Sequence, residues 1–177
     1  PSAATTWRVS RCRGMWYLDR YLRRLLERFK NTFCASRRRR FNISTDRFNL
    51  TDRTALVTGA SSGLGRHFAI TLARAGAHVG VAARREDKVA GVVSEIVEEG
   101  GEATPIFMDV VNRESIADAF EVMQQVSGAV TILVNNAGIV GREMALDLPD
   151  ETFDDVMRTN LKGAWNVSRE CAERMIK

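Results

Sequence analysis

Residues 56–65 are Leu56-Val57-Thr58-Gly59-Ala60-Ser61-Ser62-Gly63-Leu64-Gly65. They join an apolar strand to a helix through a turn that contains three glycines. A first glycine permits a tight turn, a middle one lets the backbone approach a pyrophosphate, and a last one lets the helix pack closely on the strand. Since the N–H groups that begin such a helix favour an anion, the stretch predicts a phosphate cradle.

The spacing Gly59-x-x-x-Gly63-x-Gly65 differs from the general dinucleotide pattern Gly-x-Gly-x-x-Gly. A glycine-rich turn is also typical of ordinary loops that bind no ligand. The flanking sequence favours the cradle, because residues 54–57 form the apolar run of a short buried strand. After the turn, apolar residues recur at helical spacing, namely Leu64, Phe68, Ala69, Leu72 and Ala73.

Charge divides the chain of 177 residues into two parts. Residues 1–47 hold 13 Lys and Arg against 3 Asp and Glu, a net charge of +10, whereas residues 48–177 hold 13 against 19, a net charge of −6. The overall charge of +4 therefore describes the N-terminal segment rather than the rest. We predict a basic extension over residues 1–47 and one domain over residues 48–177.

The basic extension interleaves apolar side chains with arginines, as in a short amphipathic helix, and continues into the run Arg37–Arg40. A weakly ordered, solvated extension is one interpretation. The alternatives are binding to an anionic membrane surface, an organelle transit segment such as a mitochondrial one, and contact with nucleic acid. We favour the solvated extension, place targeting second, and expect no nucleic acid as partner.

Membrane insertion, disulfides and metal binding have no support in the sequence. Its apolar runs are all shorter than the roughly 18 residues that a membrane-spanning helix needs. Its cysteines, Cys12, Cys34 and Cys171, are odd in number and lack metal-ligand spacing. They indicate a reducing compartment. We predict a cytoplasmic protein without a transmembrane segment or a metal site.

Short apolar stretches alternate with amphipathic segments along the domain. The stretches after the first are residues 78–83, 104–108 and 131–134. Asn112 is a predicted N-cap for the helix that precedes the last of them. This alternation predicts α/β architecture, a doubly wound parallel sheet of Rossmann type with helices on both faces.

Ligands of such sheets bind outside the carboxyl ends of the strands. The groups that follow the four strands are Gly59–Gly65, Arg84-Arg85, Asp109-Val110 and Asn135-Asn136-Ala137-Gly138. After the second strand, an acid accepts hydrogen bonds from a ribose 2′-OH, whereas an arginine accommodates a 2′-phosphate. Arg84, with Arg85 in support, thus predicts NADP(H) in preference to NAD(H); the alternative is a pair of solvated arginines at a helix entry.

With these motifs in order, the chain from about Phe48 to Lys177 resembles the short-chain dehydrogenase/reductase family. The resemblance implies hydride transfer between a nicotinamide and a carbonyl or secondary alcohol, and it implies a homo-oligomer. Together with the argument for Arg84, it gives the predicted cofactor contacts: Gly59, Ser61, Ser62, Gly63, Leu64, Gly65, Arg84, Asp109, Val110, Asn136, Ala137 and Gly138.

Asn160 interrupts a stripe of apolar and small residues on the last helix. The stripe consists of Phe153, Met157, Ala164, Ser168, Cys171 and Met175. A buried amide must find hydrogen-bond partners, so one interpretation is a structural asparagine tied to nearby backbone. The resemblance implies instead that Asn160 is the asparagine of the family's catalytic tetrad, which holds a water in the proton relay; we favour this role.

The other members of that tetrad are a serine and the pair Tyr-x-x-x-Lys. This sequence has no Tyr-x-x-x-Lys, and its tyrosines are Tyr17 and Tyr21. In the family, the serine and the pair follow the helix that carries Asn160. We therefore expect a Rossmann domain truncated after about four strands and the following long helix. We expect the 177-residue chain alone to be inactive and poorly soluble. The alternative is a non-catalytic nucleotide-binding or interaction module.

Overall fold

The computed structural model describes residues 48–176, so the predictions made for residues 1–47 lie outside the described residues. The strands are β1 (Thr54–Thr58), β2 (His78–Ala83), β3 (Glu102–Phe107) and β4 (Ile132–Val134). The helices are α1 (Gly63–Arg74), α2 (Glu86–Glu98), α3 (Arg113–Ser127), α4 (Asp150–Val156) and α5 (Ala164–Met175). A π-helical segment, Met157–Gly163, joins α4 to α5. No helix within residues 48–176 is long and apolar enough to cross a membrane.

The strands form one parallel sheet in the order β3-β2-β1-β4. Ala55 of β1 lies opposite Val79 of β2 on one side and Ile132 of β4 on the other. All five residues of β1 are buried, which is the pattern of a parallel strand covered on both faces. The predicted α/β class and parallel topology are confirmed.

Two cores lie on opposite faces of the sheet. Ala55 and Val57 of β1 belong to the core that α1 and α2 cover, whereas Leu56 belongs to the core that α3 and α5 cover. Successive side chains of a strand point to opposite faces, so β1 supplies both cores. The two-sided packing holds the carboxyl end of β1 in place beneath the glycine turn.

The predicted elements agree with the structure most closely where the local signal is strong. Strand β2 has the predicted bounds, and the side chain of Asn112 caps α3 by accepting hydrogen bonds from the N–H groups of Glu114 and Ser115. Strand β3 begins earlier than its apolar run because Glu102 pairs with His78 in the register of β2. Backbone pairing, rather than side-chain hydropathy, sets that boundary.

The predicted stripe on the last helix is buried at Cys171 but at none of its other positions. Phe153 and Met157 are exposed, as is Asn160, and the deeply buried side chains of α5 are those of Asn166, Val167 and Cys171. The π-helical segment explains the difference. Its i→i+5 hydrogen bonds place more residues in each turn, so positions that share a face of a regular helix do not share one here.

Candidate nucleotide-binding site

The glycine turn between β1 and α1 depends on glycine for its backbone and for its space. Gly59 has φ +64° and Gly63 has φ +56°, values that L side chains rarely adopt. A Cβ on Gly65 would lie 2.5 Å from the carbonyl oxygen of Gly59 and even closer to the side-chain nitrogen of Asn136. The turn therefore folds tightly against the loop that follows β4.

A hydrogen-bond network centred on Thr58 holds these two loops together. The Thr58 hydroxyl accepts from the backbone N–H groups of Asn136 and Ala137, both at 3.0 Å, and donates to the carbonyl oxygen of Val134 at 3.3 Å. The Asn136 side-chain NH2 donates to the carbonyl oxygens of Thr58 at 3.0 Å and Gly59 at 3.2 Å. One threonine and one asparagine thus fix the turn.

The first turn of α1 is open to an anion. Its N-cap, Ser62, is extended, and within residues 48–176 no side chain caps the helix. The first turn contains no acidic residue. The N–H groups at the helix start therefore lack a side-chain acceptor among the described residues, and they carry the positive end of the helix dipole.

Arg85 adds a positive charge to this turn. Its guanidinium Nη2 donates to the Ser61 hydroxyl at 2.8 Å and to the Ser62 hydroxyl at 3.2 Å. Arg84 is exposed and makes no hydrogen bond or ion pair with any described residue. The sequence favoured Arg84 over Arg85 as the ligand contact. In the structure, Arg85 forms hydrogen bonds with the serines of the turn, and Arg84 is available to a ligand.

Three hydrogen bonds of Asp109 hold the turn after β3. Asp109 accepts the N–H of Val111 on its carboxylate at 3.0 Å and donates its own N–H to the Ser115 hydroxyl at 3.0 Å. Its carbonyl oxygen accepts the N–H of Asn112 at 3.0 Å. Val110 is buried in the core beneath α3 and α5. The turn therefore presents a fixed edge at the carboxyl end of β3.

The loop after β4 contacts both the glycine turn and the π-helical segment. A Cβ on Gly138 would lie 3.2 Å from Oδ1 of Asn160. Asn135 donates its side-chain NH2 to the Ser168 hydroxyl of α5 at 2.7 Å. At the other end of the site, the Leu64 side chain is exposed above the start of α1. Of the predicted residues, those of the glycine turn and this loop lie together.

Asn160 is bound to backbone. Its Oδ1 accepts the N–H of Ile139 at 2.8 Å, and its Nδ2 donates to the carbonyl oxygen of Ile139 at 2.8 Å. These contacts have the geometry of a structural asparagine, although the side chain is exposed rather than buried. With respect to the described residues, one N–H and one lone pair of the amide remain uncommitted, so these contacts leave capacity for a relay.

Three residues that position the site were missing from the sequence-based set of contacts. Thr58 stands in the motif itself, and its place at the end of a buried strand was the available signal. Ser168 and Ile139 act through a hydroxyl and through backbone groups, respectively. Neither a lone serine nor a backbone contact carries a sequence signal.

Comparison with known proteins agrees with this geometry. A family model described as short chain dehydrogenase matches residues 53–177. The 3-oxoacyl-[acyl-carrier-protein] reductase FabG of Staphylococcus epidermidis is 36% identical over 127 residues, which are 71% of this chain and 52% of the relative. FabG of Staphylococcus aureus is 34% identical over 126 residues, 71% of this chain and 51% of the relative.

A solved structure shows the same fold. The short-chain type dehydrogenase/reductase from Mycobacterium marinum superposes with a TM-score of 0.70 at 39% identity, covering 73% of this chain and 52% of that one. The chain spans about half the length of the curated relatives it matches.

Proposed function

Because the chain belongs to the short-chain dehydrogenase/reductase family, we propose that it is the nucleotide-binding part of an oxidoreductase that prefers NADP(H) to NAD(H). The observation that carries this proposal is the pair of arginines after β2, one engaged by the serines of the glycine turn and the other available. An arginine at this point accommodates a 2′-phosphate, and its charge-assisted hydrogen bonds are stronger than neutral ones.

The residues present fit such a cofactor. At position 65, where the turn meets Asn136, there is no room for a side chain. No described side chain caps the start of α1, which suits a pyrophosphate. The groups that would contact phosphate and ribose are Ser61, Ser62, Gly63, Leu64 and Arg84. Asp109 and Val110 would contact the adenine, and Asn136, Ala137 and Gly138 the remainder. The cofactor would supply the hydride to a carbonyl or accept it from a secondary alcohol, and the protein would supply orientation and proton transfer.

We assign Asn160 to the proton relay. Its hydrogen bonds with Ile139 hold the loop after β4 against the π-helical segment, and its uncommitted N–H and lone pair are free to bind a relay water. The substrate is a carbonyl compound or a secondary alcohol. The complete protein forms a homo-oligomer. It is cytoplasmic; the alternative is mitochondrial targeting through residues 1–47.

We further propose that the serine and the Tyr-x-x-x-Lys pair follow Lys177 in a longer protein, and that the 177-residue chain alone is inactive. The support is that this sequence has no Tyr-x-x-x-Lys and that the chain spans about half the length of its relatives. Reading the coding frame beyond Lys177 tests this directly. A stop codon there would favour a non-catalytic nucleotide-binding module.

The cofactor preference is tested by substituting alanine for Arg84 in the protein that the complete reading frame encodes. Calorimetric titration with NADP⁺ and NAD⁺ measures both affinities. We expect Arg84→Ala to weaken NADP⁺ binding by about tenfold or more and to leave NAD⁺ binding nearly unchanged, because one charge-assisted contact is lost. Arg53→Ala, an exposed arginine beside the amino end of β1, is the control. An unaltered protein that binds NAD⁺ as tightly as NADP⁺ would overturn the preference.

A further inference from the structure

The π-helical segment contacts the loops that follow two different strands. Asn160 lies within it and holds Ile139 in the loop after β4. Gly163 is its last residue and lies against Val110 in the turn after β3. The wider winding of a π-helix directs these two positions differently from the i, i+3 neighbours of an α-helix. One segment therefore touches both sides of the proposed nucleotide site.

Gly163 is needed for space and not for its backbone conformation. Its φ of −61° and ψ of −52° are helical values that any residue adopts. A Cβ at this position would lie 2.8 Å from Cγ2 of Val110, 3.2 Å from its Cβ and 3.3 Å from its carbonyl oxygen. Alanine would otherwise be the better helix former. The absence of a side chain lets the segment close onto Val110.

Val110 has little freedom to yield. Its side chain is β-branched, which restricts χ1, and it is 8% exposed. The preceding residue, Asp109, is held by hydrogen bonds to Val111, Ser115 and Asn112. A larger residue at position 163 would consequently displace either the turn or the π-helical segment.

We propose that Gly163 is a positioning residue for the Asp109-Val110 turn, and through it for the adenine end of the nucleotide site. This inference rests on the proposed function, which places the adenine beside that turn. Gly163 itself need not touch the ligand. It fixes the distance between the segment that carries Asn160 and the edge on which the adenine would lie.

The test is Gly163→Ala in the protein that the complete reading frame encodes, with two probes titrated calorimetrically. Adenosine 2′,5′-bisphosphate reports on the adenine end, and inorganic pyrophosphate reports on the glycine turn. We expect about tenfold weaker binding of the bisphosphate, from overpacking against Val110, and unchanged binding of pyrophosphate. Gly91→Ala in α2 is the matched control, since a Cβ there meets no atom within 4 Å.

A second variant removes the contact between positions 163 and 110, and so tests whether that contact weakens binding. Val110→Ala removes the methyl group nearest to position 163, so the double variant should bind the bisphosphate within about twofold of Val110→Ala alone. If Gly163→Ala does not fold, the double variant must still fold and bind in this way, and its failure to do so overturns the inference. Equal bisphosphate affinity in Gly163→Ala and the unaltered protein overturns it as well. No binding by the unaltered protein overturns the proposed function, and this inference with it.

Discussion

Strand β1 begins and ends with a buried threonine, and the two hydroxyl groups form different sets of hydrogen bonds. At the amino end, Thr54 donates to the carbonyl oxygen of Ser127 at 2.8 Å and so ties the strand to the end of α3. At the carboxyl end, Thr58 makes three hydrogen bonds, to Val134, Asn136 and Ala137. The first joins two elements, whereas the second shapes a loop.

The residues that surround the two ends of β1 differ as well. Charged and titratable side chains surround the amino end, where Asp52, Arg53, His78 and Glu102 line a cavity of about 460 Å³. Small residues form the turn at the carboxyl end, and no described side chain caps the start of α1 there. The comparison teaches that the turn itself is built of small residues, and that the charge beside it comes from Arg85 after β2 rather than from the turn.

Gly65→Ala is expected to disturb the packing at the carboxyl end of β1 more than any other substitution proposed. The added Cβ would collide with the Gly59 carbonyl and the Asn136 side chain. Because backbone must move, we expect a loss of about 3 kcal/mol in the free energy of unfolding. Urea titration followed by circular dichroism measures it. Gly91→Ala, with no neighbour within 4 Å, should instead stabilise α2 by roughly 0.5–1 kcal/mol. Equal effects at the two positions would refute the close approach.

Replacing each threonine with valine compares the two ends directly, because valine keeps the shape and removes the hydroxyl. Thr58→Val strands the N–H groups of Asn136 and Ala137, so we expect a loss of about 2 kcal/mol. Thr54→Val loses a single hydrogen bond to Ser127, and a loss of about 1 kcal/mol is expected. Urea unfolding of both variants measures the difference. A greater loss for Thr54→Val would reverse the comparison.

The smallest expected effect is a pH dependence at the amino end. His78 lies 2.7 Å from the Thr104 hydroxyl, and burial lowers its pKa below the ordinary value of 6.5, with the Glu102 carboxylate opposing. Since the depressed pKa means that the folded state binds the proton less readily, stability is retained above about pH 6.5 and falls as the pH drops through the folded pKa.

Urea unfolding between about pH 5 and pH 8, the range over which histidine titrates, tests this pH dependence. His78→Gln should flatten the decline by removing the titrating group. Thr58→Val should leave the decline unchanged, because it alters only the other end of the strand. A decline of the same steepness in His78→Gln would show that other groups cause it.

Much of the fold followed from local pattern, and particular residues show why. The spacing of Gly59, Gly63 and Gly65 and the capping side chain of Asn112 express constraints that act within a few residues of chain. The bounds of β2 followed from its apolar run. Such features are set by backbone sterics, by nearby hydrogen bonds and by burial, and each leaves a sequence signature.

The site was harder to predict where its contacts join distant parts of the chain. Arg85 and Arg84 are neighbours of the same type, and only the packing of α1 beside β2 brings Arg85 to the hydroxyls of Ser61 and Ser62. Asn160 was predicted to be buried because a regular helix was assumed. Its actual partners are backbone groups of Ile139, which have no sequence signature.

The sequence by itself determined that residues 54–134 alternate strands and helices around a glycine turn, because hydrophobic periodicity and glycine geometry act locally. Only the tertiary structure decided that the chain changes to π-helical winding at Met157–Gly163, and that Gly163 closes onto Val110 while Asn160 holds Ile139. The physical reason is that these positions depend on which loops contact the helix in the folded protein. Hydrophobic periodicity along the chain does not predict those contacts.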